Sequence, residues 1–497
     1  MVVLCGLRAY IGLIGTRDFS HDAFMLFDGA WRMLNGQRPH IDFYSHVGYL
    51  TYLPTVVGLW LARGTAWGFG YGQALAGLLA GFWAYWLGRK RLADVPLVLM
   101  CLSVVLMTVA PFALGFSPIK PTPGMIYNRQ GYAFLALVLL EAVEQVKPPA
   151  ERDEFWGGVS SGSILAILFF LKITYFAAAL LLLGLLFPSR TQTKQRWLGL
   201  AGGLLAVTVA SCAYYSFRMG PMVHDLITIG GGKHIRFGWY LLDIVLQDAA
   251  IAIALAVAAA LLLSASGSQR AGLAVILAGV AIALAGTAMI FGNYEQVGFP
   301  LAVFLAIVVL NHVILRVPQR RLAPDFFQAA VLVFGSAVIA GSLLSGAIGM
   351  TFALGQRVLA HHTQNFKMAR LSGFTTGPDD DWYAQLVNDG VPLVERFKRP
   401  NDTLMSLDFT NPFSYGLGMH PAHGGTPVFQ FGTTFNDRFR PSPEFLMGAA
   451  DLVAVPKKAS DPTLDDNVPR LYGPYLKSHF HLVGESRDWR LYRRNGE

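Results

Sequence analysis

The chain has 497 residues, 54% hydrophobic and 14% charged, with a mean hydropathy of +0.44; soluble domains carry about 25% charged residues, so an ordinary soluble globular protein is excluded. The formal net charge of +8 sits in short basic clusters between apolar runs and not in stripes interleaved with aromatics, which excludes nucleic acid as a partner and implies membrane topology. Cys5, Cys101 and Cys212 all lie inside apolar runs, so neither a disulfide framework nor a CxxC metal site is available.

Residues 1–16 are apolar around Arg8 and have no small-residue cleavage site before Arg17, which predicts a first transmembrane helix and not a signal peptide. It is short for a span, so an extension upstream of Met1 is expected. Further spans are predicted at 67–88, 95–110, 131–147, 156–171, 173–187, 197–216, 240–264, 271–291, 298–315 and 327–350. The segment "VGYLTYLPTVVGLWLA" (47–62) is apolar but interrupted by Pro54. Laid along the outer interface, it lets Arg89–Arg91, Ser189–Arg196, Ser268–Arg270 and Arg316–Arg321 all face the cytoplasm; if it spans, each cluster moves outside, against the positive-inside rule. The same parity makes 156–187 two short helices meeting near Lys172, as membrane proteins build them beside a cavity.

The expected fold class is therefore a polytopic α-helical membrane protein of about eleven transmembrane helices. Its N-terminus is cytoplasmic, its first outer loop (17–66) carries interfacial helices, and its membrane domain covers 1–353. From 354 to 497 the sequence becomes charged, Pro-rich and soluble in character. Parity puts this part on the extracytoplasmic side. "DDWYAQLVNDGVPLVERF" (380–397) has helical amphipathicity, while 403–409, 451–457 and 489–494 read as strands, which together predict a small α/β domain.

The first outer loop concentrates acidic groups at the membrane edge. Ser20 or Asp22 can cap a helix running to Leu34, with Asn35-Gly36 as its stop. Asp28 and Arg32 form an i, i+4 pair expected on the helix surface. Helical spacing puts Asp22 over Leu26, Gly29 and Met33, a mostly apolar face. A carboxylate placed beside apolar surface at a bilayer is costly without a role, so Asp22 is a candidate general base, with capping as the competing structural reading. Asp42 follows Pro39 in an extended turn, where a bond to its own backbone competes with catalysis.

"DAFMLFDGAWRMLNGQRPHIDF" followed by "VGYLTYL" resembles the first outer loop of the GT-C glycosyltransferases that use a polyprenyl-phosphate sugar, the group with family 39-like and arabinosyl- or mannosyltransferase-like members. In that pattern an acidic residue or pair opens an interfacial helix, "A-W-R-x-L-x-G" follows, then "P-Y-x-D-F". Asp22 matches the first acid, Ala30–Gly36 the middle stretch, and Pro39, Asp42 and Phe43 the last motif; Ala23 replaces a second acid and His40 a tyrosine. The resemblance implies an integral membrane hexosyl- or pentosyltransferase of the cell envelope, in the bacterial inner membrane. It would move sugar with inversion from a polyprenyl phosphate to a glycan, lipid or protein acceptor on the outer face. Asp22 would be the base. The lipid-linked sugar is a substrate, no cofactor is implied, and Ala23 removes the partner a metal-binding acid pair would need.

The departing phosphate needs cations on the outer side. Candidates are Lys172, whose alternative is snorkelling to the interface; Lys120 in "SPIKPTPGMIYNR"; and Lys233, His234 and Arg236 in "GGGKHIR", where flexible glycines could form an anion nest or simply a mobile juxtamembrane loop. His224, Asp225 and Glu295 are expected to be solvated helix-end groups. No histidine pair has i, i+4 spacing with an acid between, so no metal site is expected. The alternative function from another class is a multi-span transporter or lipid flippase, and a third is a noncatalytic assembly subunit; a transporter would scatter ionisable residues through the membrane, whereas here they gather on one face.

Overall fold

The structure, a computed structural model, describes residues 1–186, 193–233, 239–265, 269–293, 300–316, 326–359 and 364–496. In chain order the first part is α1 (Val2–Ile11), β1 (Leu13–Thr16), α2 (Ser20–Leu34), α3 (Tyr49–Leu61), α4 (Gly68–Gly88), α5 (Asp94–Val109), α6 (Ile126–Ala142), α7 (Glu151–Leu171) and α8 (Ile173–Leu186). It continues with α9 (Lys194–Tyr214), α10 (Gly220–Gly232), α11 (Trp239–Ala265), α12 (Gln269–Asn293), α13 (Leu301–Arg316) and α14 (Phe326–Leu359). Each expected span thus has a helix. Among the described residues, Glu151–Leu171, Lys194–Tyr214, Gly272–Phe291 and Ala329–Leu359 are long and apolar enough to cross a membrane by length and composition. The bundle core includes Val104, Leu137, Leu168, Leu182 and Phe304, while Leu79, Phe82, Leu205 and Val333 stay exposed on its outside, a surface suited to lipid and not to water.

Two local readings change. Residues 13–16 do not continue the first helix; they form β1, which pairs in parallel with β3 (Phe374–Thr376) of the C-terminal region. At 13 residues α3 is about 20 Å long at 1.5 Å per residue, shorter than a hydrocarbon core.

The stop at Lys172 is imposed from outside the helix. Lys172 is extended, with φ −162° and ψ 125°, and the Gly48 N–H and Thr51 hydroxyl both donate to the Leu171 carbonyl, at 3.0 and 2.8 Å. They satisfy the acceptor that a continuing helix would use. Position 48 has to be glycine, because a Cβ there would lie 1.8 Å from the Phe170 carbonyl oxygen. Arg196, at the start of α9, is 3.7 Å from Glu154 at the start of α7. The chain has therefore returned to that end through α8, and the two helices meet at Lys172.

α14 runs for 34 residues, past the expected domain boundary at 353. Beyond it come β2 (Gln364–Asn365), β3, α15 (Asp381–Phe397), β4 (Thr403–Ser406), α16 (Phe413–Gly416), β5 (His420–Pro421), α17 (Pro443–Met447), β6 (Leu452–Pro456), α18 (Leu464–His479), β7 (Phe480–Glu485) and β8 (Trp489–Arg494). The main sheet has the order β5-β4-β6-β8-β7. β4 is parallel to β5 and β6, while β8 is antiparallel to both β6 and β7.

This small α/β domain is locked to the first outer loop. Asp28 and Arg32 are both fully buried, so the expected surface pair is in fact a core pair. Arg32 Nε donates to Asp28 Oδ2 at 2.8 Å, and its NH1 group donates to the carbonyls of Ala422 and Gly424 at 2.8 and 2.7 Å. Trp31 Nε1 donates to the Met419 carbonyl and Gln37 Nε2 to that of Pro421, both at 2.8 Å. The expected cap is also corrected: neither Ser20 nor Asp22 caps α2 with its side chain. Instead Asp380 Oδ2 of the C-terminal domain accepts from the Ser20 N–H at 2.7 Å, doing from a distant segment what an N-cap does locally.

Replacing Asp28 by alanine leaves a buried guanidinium without its counter-charge, a change that costs about 3–5 kcal/mol. The Asp28→Ala protein in detergent should therefore melt well below the wild type, and an Asp28→Leu, Arg32→Met double variant should recover part of the loss. Equal melting temperatures for wild type and Asp28→Ala would show that the pair does not hold the seam.

Candidate active site

α2 carries Asp22 in its first turn, on the wall of a cavity of about 710 Å³ between the helical bundle and the C-terminal domain. Met125, just before α6, donates its N–H to Asp22 Oδ2 at 3.3 Å, so the carboxylate sits at the positive end of that helix. His21 Nε2 lies 3.5 Å from Asp22 Oδ1. Burial pushes the Asp22 carboxyl up to about 7; the Met125 N–H opposes this, while Asp380 and Asp18 add to it. Its side chain nevertheless keeps 17% of its accessible surface, enough to meet a reactant. His21, held between the rings of Tyr383 and Phe409, is pushed down by burial to about 4 and is neutral near pH 7.

The helix break places Lys172 in the same cavity, and α10 brings Lys233. Lys172 Nζ donates to Asn128 Oδ1 at 3.2 Å and lies 4.9 Å from the Tyr127 ring centroid. His46, also on the wall, is lowered to about 3 by burial first and then by Lys172, Lys233 and His40. The C-terminal domain closes the cavity with Gln430, Thr433, Thr434, Ser460 and Asp461, a row of groups able to hydrogen-bond hydroxyls. Three sequence candidates, Asp22, Lys172 and Lys233, are thus brought together.

The others go elsewhere. Asp42 is not on the cavity wall: its Oδ2 accepts from the Arg38 N–H at 2.7 Å and lies 3.5 Å from Arg38 Nε, the local turn role that competed with catalysis. Lys120 is also off the wall and acts on Asp18, where its charge opposes the rise that burial causes. Arg129 of the same motif is buried and donates to the carbonyls of Leu106, Met107 and Phe112, closing the end of α5. His234, Arg236, Glu295, His361 and His362 lie outside the described residues. The glycine run is not a nest, because Gly230–Gly232 are the last turn of α10 and a nest needs free N–H groups. The backbone there passes against the C-terminal domain: a Cβ on Gly231 would lie 2.7 Å from the Phe439 ring, and Asn436 Nδ2 donates to the Gly231 carbonyl at 3.0 Å. Asp225 is not a solvated end group either; it is buried, with His40 Nδ1 2.9 Å from its Oδ2 and the Ser45 N–H donating to the same oxygen at 3.2 Å.

Sequence reasoning missed His46, Asn128, Asp380 and the hydroxyl row of the C-terminal domain. Only the "DDD" run at Asp379–Asp381 before a helix gave any signal, and that was of a cap. Among the described residues no three His, Cys, Asp or Glu side chains gather as a metal site would require.

Over 99% of its length, and 96% of the other chain, this fold superposes on ArnT from Cupriavidus metallidurans bound to undecaprenyl phosphate, with a TM-score of 0.51 at 14% identity. The chain has the GT-C fold. The apo state of that ArnT matches over the same shares at 13% identity and a TM-score of 0.47. No family model and no curated protein sequence matches the chain.

The raised Asp22 carboxyl has a thermodynamic signature. Its protonated form is favoured by folding, so the stability it contributes is complete below its ordinary value of 3.8 and is lost as pH rises through about 7. An Asp22→Asn variant should melt progressively higher relative to the wild type between pH 4 and 7, and the gap should level off above pH 7. A gap that does not change with pH would place Asp22 in water.

Proposed function

We propose that this protein is an integral membrane glycosyltransferase that takes a sugar from a polyprenyl phosphate and transfers it, with inversion, to a hydroxyl acceptor on the extracytoplasmic face. The observation that carries the reading is the meeting of Asp22, Lys172 and Lys233 in one cavity between an apolar bundle and a polar domain. That the similar ArnT fold is one bound to undecaprenyl phosphate supports the choice of donor.

In the proposed reaction the acceptor oxygen attacks the anomeric carbon from the face opposite the phosphate. The new C–O bond forms as the bond to the phosphate oxygen breaks, the acceptor proton passes to the Asp22 carboxylate, and the polyprenyl phosphate departs with the electron pair. Lys172 and Lys233 stabilise the charge that develops on the departing phosphate, and no step calls on a metal or cofactor. The hydroxyl and amide groups from Gln430 to Asp461 hold the acceptor, which gives the C-terminal domain its part in the reaction. An apolar groove of about 360 Å³, lined by Leu53, Leu75, Leu79, Phe134, Ile167 and Leu171, includes the residue preceding Lys172 and would take the start of the prenyl tail.

A transfer assay in native membranes with a polyprenyl-phosphate sugar tests this. Asp22→Asn should lower kcat by about 10²- to 10⁴-fold, the usual worth of a general base, and the wild-type kcat/KM should rise with pH to a plateau with its midpoint near 7. Lys172→Met removes a charge-assisted contact worth about 1.5–3 kcal/mol, so kcat/KM for the donor should fall roughly 10- to 150-fold. Undiminished turnover by folded Asp22→Asn protein would overturn the assignment of the base.

A further inference from the structure

A second polar cavity, of about 490 Å³, lies at the other end of α6 and α7, lined by Trp86, Arg89, Lys90, Arg91, Gln145, Arg152, Asp153 and Trp156 among others. α7 has 21 residues, so this cavity is about 31 Å from Lys172 along the helix, the thickness of a hydrocarbon core. Four cationic side chains, Arg89, Lys90, Arg91 and Arg152, and one carboxylate, Asp153, line this cavity, at the membrane surface opposite the candidate active site. Lys90 Nζ pairs with that carboxylate, Asp153, at 2.6 Å. Arg91 is 3% exposed; its NH2 group donates to Glu141 Oε2 at 2.8 Å and its NH1 to the Leu87 carbonyl at 2.8 Å. Its Nε–H is buried and has no hydrogen-bond partner.

Arg89 and Arg152 are exposed and make no ion pair among the described residues, so their charges are available at the rim. Trp86 and Trp156, 38% and 46% exposed, flank the opening. Tryptophan takes this position where one end of the ring meets acyl chains and the other meets water.

We propose that this cavity binds the phosphate of an anionic phospholipid headgroup in the leaflet opposite the candidate active site. The phosphodiester would sit between Arg89 and Arg152 and leave its acyl chains against Trp86 and Trp156. The bound lipid would hold the loop between α4 and α5 to the start of α7, and so stabilise the end of the bundle at which α7 is anchored. This site is separate from the glycosyl transfer reading and does not depend on it.

Binding of dioctanoyl-phosphatidylglycerol to the full-length protein in nonionic detergent, followed by native mass spectrometry, tests the proposal, with dioctanoyl-phosphatidylcholine and inorganic phosphate as separate arms. Each basic residue near an anionic lipid contributes about 1 kcal/mol, roughly fivefold, so the Arg89→Gln, Arg152→Gln double variant should bind phosphatidylglycerol about 25-fold more weakly. Both positions are exposed, and an unchanged melting temperature of the lipid-free variant checks that it has folded. A Trp86→Phe, Trp156→Phe variant should weaken the lipid but leave inorganic phosphate unaffected. The proposal is overturned if phosphatidylcholine binds as tightly as phosphatidylglycerol, or if the arginine variant binds like the wild type. Inorganic phosphate competing at equal affinity would overturn the lipid source in favour of a free-phosphate site.

Discussion

A guanidinium kept from water needs acceptors inside the protein and is held more firmly by a counter-charge, and Arg32 finds both, in two domains at once. Asp28, one turn earlier on α2, supplies the charge, and the carbonyls of Ala422 and Gly424 supply the acceptors. Separating the first outer loop from the C-terminal domain would take these carbonyls from Arg32 while Asp28 stays beside it on α2, so the seam is held by directed, charge-assisted hydrogen bonds as well as by packing. The Asp380 cap on Ser20 and the parallel pairing of β1 with β3 reinforce it. Because Asp22 stands on the same short helix, its position relative to the hydroxyl row of the C-terminal domain is fixed by these bonds.

The opposite wall is set by another backbone bargain. Gly48 and Thr51 take the Leu171 carbonyl, α7 stops, and Lys172 turns toward the cavity instead of continuing a helix. The groups acting on Asp22 are a backbone N–H and two other carboxylates, with no lysine among them. A direct ion pair with Lys172 would have pulled the Asp22 carboxyl down and made it a poor proton acceptor. Burial holds the Asp22 carboxyl near 7, and His46 beside the lysines is held neutral.

How much of this was legible varies with the range of the interaction. The apolar helices and the meeting of two of them at Lys172 follow from hydropathy and the parity of basic clusters, both properties of contiguous sequence. The standing of Asp22 on an apolar face follows from helical periodicity, and so does the pairing of Asp28 with Arg32. That the pair is buried does not, because the residues covering it are almost 400 positions away. For the same reason Asp225 read as a solvated helix end when His40 covers it, and the glycines of α10 read as a flexible loop when Phe439 packs over them.

By itself the sequence determined which segments suit lipid, which end of the bundle is basic, and which carboxylate stands on an apolar helix face. These depend on composition, period and sign of charge, which neighbours in the chain share. Only the tertiary structure decided which cations face Asp22, that the C-terminal domain forms half of the cavity, and that Asp42 turns back on Arg38. Those outcomes depend on burial and hydrogen-bond partners supplied by distant segments, and no local pattern encodes the free energy of a contact whose two halves are hundreds of residues apart.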